Sequence, residues 1–197
     1  MANRNTTGFG LIAVGTIGST PSTQGQGKYY IDAAYDVSLY QGTVVQSKVG
    51  YIKVGQNAIL DKTIGVLNGI FYNAATTLKP TWANYYGQPI TPANSEDITA
   101  FVLDNPFQLY MAGVDAAVTQ ANYGKTYGLT TGAPGGSTTS GQSSAELIIA
   151  GVSATANSWR LLRTAEDPEN NDITAANCSV IVCQNLSQYL TNAVTWQ

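Results

Sequence analysis

The chain has 197 residues, with nine Lys+Arg, twelve Asp+Glu and no His, for a formal net charge of -3. Charged residues make up 11% of it, against about 25% in an ordinary domain. With 44% hydrophobic content disorder by charge repulsion is excluded. Nine scattered basic residues form no track for nucleic acid, and every mechanism that needs an imidazole base or ligand is gone. No run of about 20 apolar residues is present to span a membrane. The start, with a single Arg4 and no continuous apolar segment, does not fit a signal peptide. A chain of this length buries roughly 70% of its unfolded surface, enough for a core without disulfide or metal.

In chain order, residues 1–28 form a distinct segment, rich in Gly, Thr, Ser and Gln and charged only at Arg4 and Lys28. It is too poor in apolar surface to fold alone, yet Phe9, Leu11, Ile12, Val14 and Ile17 are unusual in a solubilising tail. It reads either as a disordered terminus or as an extended arm that orders against a partner, with a body at 29–197 that is stable without it. From Tyr29 the texture is that of an antiparallel β domain, with strand formers at 29–31, 34–40, 44–45, 49–54 and 64–72 bounded by Gly or polar turns. In 64–72 one face carries Ile64, Val66, Ile70 and Tyr72 and the other Leu67 and Phe71. Both are largely apolar, as in a central strand or one covered by another subunit.

Residues 73–97 form a long loop with three prolines and the aromatics Trp82, Tyr85 and Tyr86. Proline keeps it out of a sheet interior. Its aromatics suit a lid on the body, an interface or a sugar platform. Strand texture returns at 98–110. A short helix is expected over 114–123, where Val114, Ala117, Val118 and Ala121 share a face. Residues 128–144 read as an exposed mobile loop of Gly, Ser and Thr. Further strands are expected at 147–151, 159–163 and 178–184.

Chemistry is sparse. No His can activate the many serines, and no dinucleotide or phosphate-loop glycine motif is complete. Glu96-Asp97 and Glu166-Asp167 are adjacent pairs whose side chains diverge in a strand. The cluster from Glu166 to Asp172 resembles a calcium loop at its first ligand positions. It has Asp172 where the loop needs Gly and Cys178 where it needs Glu, so it reads as a solvated acidic turn or an irregular calcium site. Cys178 and Cys183 flank a β-branched run, about 16 Å apart and on opposite faces. They therefore cannot bridge, and a zinc or redox pair lacks supporting ligands. No catalytic, cofactor-binding or metal-binding residue is assigned.

The stretches Gly25-Gln-Gly-Lys-Tyr-Tyr-Ile-Asp, Ile64-Gly-Val-Leu-Asn-Gly-Ile-Phe-Tyr-Asn-Ala-Ala-Thr-Thr-Leu-Lys-Pro-Thr, Asn94-Ser-Glu-Asp-Ile-Thr-Ala-Phe-Val-Leu-Asp-Asn-Pro-Phe-Gln and Trp159-Arg-Leu-Leu-Arg-Thr-Ala-Glu-Asp-Pro-Glu-Asn-Asn-Asp resemble virion structural proteins of tailed phages of marine bacteria. Within that family the chain resembles the capsid decoration, or cement, proteins, similar in kind to the head decoration protein of phage lambda. The resemblance implies a non-enzymatic β body, a homotrimer seated on the major capsid protein at the exterior of the phage head, and synthesis in the host cytoplasm. It implies no cofactor, nucleic acid or membrane partner. The expected fold is mainly β, an antiparallel β-barrel or sandwich with an extended N-terminal arm and at most one or two short helices. The candidate contacts are Phe9, Leu11, Ile12, Ile17, Tyr29, Tyr30, Trp82, Tyr85 and Tyr86. A carbohydrate-binding or receptor-binding β module and an enzyme with converging carboxylates are the rival readings.

Overall fold

Short β-branched and aromatic runs, cut by Gly and polar turns, fold among the described residues into two six-stranded sheets and no long helix. The computed structural model describes residues 3–18, 25–55, 62–88, 90–130, 135–153 and 157–190, the side chains of 151–153 excepted. The fold is mainly β, as the composition and turn spacing require.

The first sheet contains β1 (Ile12–Thr16), β8 (Gln108–Val114), β9 (Thr126–Leu129), β10 (Glu146–Ser153), β11 (Trp159–Thr164) and β12 (Ser179–Gln184). Its order is β1-β8-β10-β9-β11-β12, and β12 also pairs with β8. That last pairing closes a five-stranded barrel and removes the open edges an isolated sheet would have. All pairings are antiparallel except β8 with β10. Alternate residues point inward: Tyr110, Ala112, Tyr127, Leu147, Trp159, Leu161, Val180 and Val182 are buried in one cluster. Tyr110 and Trp159 meet edge to face, with ring centroids 5.5 Å apart.

The second sheet runs β2 (Gly27–Ile31), β7 (Ile98–Leu103), β5 (Gly65–Asn73), β3 (Val44–Lys48), β4 (Tyr51–Val54), with β6 (Pro80–Ala83) on the distal part of β5. Pro80 opens β6 at an edge, where its missing N–H costs nothing. Side-chain alternation divides this sheet between two cores. Val44, Val66 and Leu103 join the barrel cluster, and their neighbours Val45, Leu67 and Val102 join a second cluster with Ile31, Ile52, Ile70, Tyr86 and Ile98. Tyr110 Oη donates to the Leu103 carbonyl at 3.0 Å, a bond across the junction.

The apolar pattern of 64–72 is covered on both faces, by its own chain at Val66 and Leu67. Asn68 is an extra residue in β5: Leu67 pairs with Val102 and Gly69 with Phe101. This bulge reverses the parity, so Leu67 and Ile70 share a core. The face assignment read by simple alternation is corrected accordingly.

Five other expectations are corrected. Residues 73–97 are not loop throughout, since Pro80–Ala83 form β6 against β5. Residues 3–18 are extended but are not separate from the body. Leu11 is 3% exposed in the barrel cluster, and β1 pairs with β8 of the same chain along Ile12–Thr16. The start is also tied down: Asn5 N–H donates to Asn170 Oδ1 at 2.7 Å, and Asn3 Nδ2 to the Ala176 carbonyl at 2.8 Å. A segment that cannot fold alone completes the barrel edge, because β10 pairs with β8 only at its last two residues and leaves the rest of that edge to β1. The 34–40 stretch is turn and bridge, with Leu39 and Tyr86 exchanging backbone hydrogen bonds. The helix expected over 114–123 is only a short 3-10 turn at Gln120–Asn122, because Val114 and Val118 are drawn into the barrel. In the 128–144 stretch residues 128–129 belong to β9 and residues 131–134 lie outside the described residues. Residues 135–144 are pinned: Ser143 N–H donates to the Gln41 carbonyl, Gln41 N–H to the Gly141 carbonyl, and Asn84 Nδ2 to the Ser140 carbonyl. Ser143 is buried.

Candidate functional site

The face of the second sheet that carries Val44, Val66 and Leu103 is covered at one end by the barrel. The same face continues past the barrel, and there its residues change from aliphatic to aromatic. Register fixes the row: Tyr30 pairs with Thr99, Thr99 with Phe71, and Phe71 with Trp82. In the next row Lys28 pairs with Phe101 and Phe101 with Gly69. Directly opposed residues share a face, so Tyr30, Phe71, Trp82 and Phe101 stand on one surface. With strands about 4.8 Å apart, that surface runs across four strands, β2-β7-β5-β6.

Three of these side chains are large and exposed: Trp82 at 52%, Tyr30 at 44% and Phe71 at 37%. The Trp82 ring lies over Gly69, where a Cβ would come within 2.5 Å of it, and tilts against Phe101 with centroids 5.1 Å apart. Gly69 therefore provides the floor for the indole, a cross-strand aromatic over a glycine. Lys28 Nζ sits 5.7 Å from the centre of the Tyr30 ring and rims the patch with the one kind of charge an aromatic face attracts. The surface is aromatic and uncharged at its centre. What it can do is dock a complementary surface by burial and stacking.

The other expected contacts are dispersed. Tyr29 points to the opposite face, its hydroxyl bonded to Asp104 at 2.7 Å and to Tyr189. Burial and those two partners hold its pKa far above the ordinary tyrosine value. Tyr85 stacks on Tyr40 at 5.5 Å. Tyr86 is fully buried and donates to the Tyr35 carbonyl at 2.5 Å. Leu11 is buried as well, so Leu11 and Tyr86 present no surface to a partner. Ile12 and Ile17 are exposed along the barrel edge with Val14 and Phe107, and Phe9 is half-buried beside them. Of the aromatic face, sequence reasoning named Tyr30 and Trp82 and missed Phe71 and Phe101. Phe101 was legible from alternation in 98–103, with Ile98, Ala100 and Val102 inward. Phe71 was hidden by the bulge.

The acidic turn at 167–172 is an N-terminal clamp. Asp167 Oδ2 accepts from Asn170 Nδ2 at 2.9 Å and from Ser179 Oγ at 3.4 Å, and Arg4 pairs with Glu169. Hydrogen bonding, chiefly from Asn170, holds the Asp167 carboxyl below its usual range. Among the described residues no three His, Cys, Asp or Glu side chains gather to hold a metal. Cys178 and Cys183 are both free and buried. Cys178 lies in the barrel cluster, and burial, the larger effect at each, pushes both thiols up. Glu146 is the carboxylate out of place: its Oε2 is buried without a hydrogen-bond partner. Desolvation, and then Asp115, raise its pKa, while Asp115 Oδ1 itself accepts from Ile149 N–H at 2.8 Å. No helix among the described residues is long and apolar enough to cross a membrane. No protein-family model, curated protein or solved structure matches this chain.

Proposed function

We propose that the chain is a non-enzymatic virion structural protein of the capsid decoration class, docked on the outer surface of a phage head through the aromatic face of its second sheet. The observation that carries the reading is that face: Tyr30, Phe71 and Trp82 exposed in one row across four strands, with the half-buried Phe101 in the next row, in a chain with few charges. Aromatic anchors on a rigid sheet supply binding energy at little entropic cost, since the strands hold them in place beforehand. A near-neutral chain also suits many copies packed side by side, where like charge would accumulate. The sequence resemblance adds the major capsid protein as partner, the homotrimer and the head exterior to this reading.

The test is binding to heads assembled without the protein, measured by co-sedimentation. Trp82→Ala and Phe101→Ala are expected to weaken binding at least tenfold, about 1.4 kcal/mol. Circular dichroism melting should confirm the fold of each variant, because Trp82 is half exposed. Both variants binding as tightly as the unaltered protein would refute the assignment of the face. A copy number in purified virions far below that of capsid subunits would refute the decoration role itself.

A further inference from the structure

A second site lies where the N-terminal segment meets the second sheet. A cleft of about 260 Å³ is lined by apolar residues, among them Phe9, Leu11 and Leu103, and by Gln41, Asn68 and Gln142. Among the described residues no charged side chain lines it. Asn68 is the bulged residue of β5, and bulges commonly re-aim a side chain beside a functional site. Gln41 Nε2 donates to Asn68 Oδ1 at 3.0 Å, which orients both amides. Gln41 Oε1 and Asn68 Nδ2 are then left, one acceptor and one donor, and neither engages another protein group among the described residues. The exposed side chain of Gln142 adds a whole carboxamide.

The walls are set by backbone. Gly10 and Gly42 both have positive φ, 74° and 85°. A Cβ on Gly10 would come within 3.1 Å of the Gly42 carbonyl oxygen, so glycine is what lets these two turns touch. Leu11 N–H donates to the Gly42 carbonyl at 3.0 Å, and Gln41 is held on both sides by Gly141 and Ser143. The cleft is therefore formed before any ligand arrives.

From this geometry we infer that the cleft is a binding site for a neutral saccharide, of the size of a single sugar ring. A hydroxyl is both donor and acceptor, and a carboxamide answers it in both directions. The apolar C–H face of a sugar ring has the half-buried Phe9 ring to lie against. An anion finds no cation here and a cation no carboxylate, so the ligand is uncharged. The volume lies just under the usual range for small-molecule sites, about 300 to 1,000 Å³, and fits a ring better than an extended peptide. This inference is independent of the docking role of the aromatic face.

The test is heteronuclear NMR of the full chain titrated with D-glucose, D-galactose, D-mannose and N-acetyl-D-glucosamine, with D-glucuronate and the peptide acetyl-Val-Thr-Val-amide as controls. At least one neutral sugar is expected to bind saturably, with Kd of about 1 mM or tighter, and to shift the side-chain amides of Gln41, Asn68 and Gln142. Gln142→Ala removes an exposed side chain that makes no side-chain hydrogen bond among the described residues. It is expected to weaken that sugar about fivefold, the order of one neutral hydrogen bond, and to leave the melting temperature unchanged. Phe9→Ala is expected to weaken it further. No sugar-induced shift of these amides would overturn the inference. So would binding of the peptide without the sugars, or sugar binding that survives both substitutions.

Discussion

Leu11 and Ile12 are neighbours with opposite fates, and the pair separates a docked N-terminal segment from a free arm. Leu11 is 3% exposed in the barrel cluster, whereas Ile12 is 39% exposed on the outer side of β1. Leu11→Ala removes three buried carbon groups at about 0.8 kcal/mol each, or about 2.4 kcal/mol. Leu→Ala costs elsewhere reach about 5 kcal/mol when a sealed cavity is left behind. Here Leu11 also lines the cleft, so the vacated space joins an existing opening and the cavity contribution is small. For a chain of this size each kcal/mol lowers the melting temperature by about 2–4 °C, so the expected fall is about 5–10 °C. Ile12→Ala, on the wet side of the same strand, should cost under about 1 kcal/mol. Thermal unfolding followed by circular dichroism, with urea unfolding as a check on the slope, reads both. A Leu11→Ala melting temperature within about 1 °C of the unaltered protein, or equal effects at the two positions, would refute the packing of residues 3–18 into the barrel.

Three further outcomes follow from single features. Val49 and Gly50 make the two-residue turn between β3 and β4, both with positive φ, 56° and 83°; Val49 is β-branched and 89% exposed, so Val49→Gly or Val49→Asn should stabilise by about 0.5–1 kcal/mol, read as a higher urea midpoint, and an unchanged or lower midpoint would contradict the turn geometry. Glu146 has a raised carboxyl pKa in the fold, so its stabilising contribution is complete below the unfolded value, about 4.3, and is lost as pH rises through the folded value. Glu146→Gln should therefore raise the melting temperature at neutral pH and lose that advantage in acid, and a gain that persists unchanged at low pH would count against a desolvated carboxylate. Cys178 and Cys183 should resist alkylation in the native state and take up two adducts when the chain is unfolded without reductant, as free buried thiols must; zero adducts in the unfolded chain would mean that they are bridged.

Composition and spacing determined the class of the fold. Gly-bounded β-branched runs made strands at 44–45, 64–72, 147–151, 159–163 and 178–184 legible, and 51–54 within the 49–54 run whose Val49 and Gly50 are the turn, because a strand's preference for branched side chains and a turn's need for Gly are local. The opposed cysteines were legible for the same reason, whereas the strand at Pro80–Ala83 was hidden in a stretch that its prolines made read as loop. Long-range pairing was not. Whether Ile12–Thr16 finds β8 of its own chain or a partner's sheet edge depends on an edge left open by β10, more than 90 residues away. The 135–144 loop has the composition of a mobile segment, yet its backbone groups find Gln41 and Asn84, partners that no local pattern announces. Both sites depend on the same kind of event. One inserted residue, Asn68, shifts the parity of β5, placing Phe71 beside Trp82 and Asn68 itself beside Gln41. A bulge is a negotiation between two strands, and a sequence read along one strand shows the alternation but not the register at which it slips.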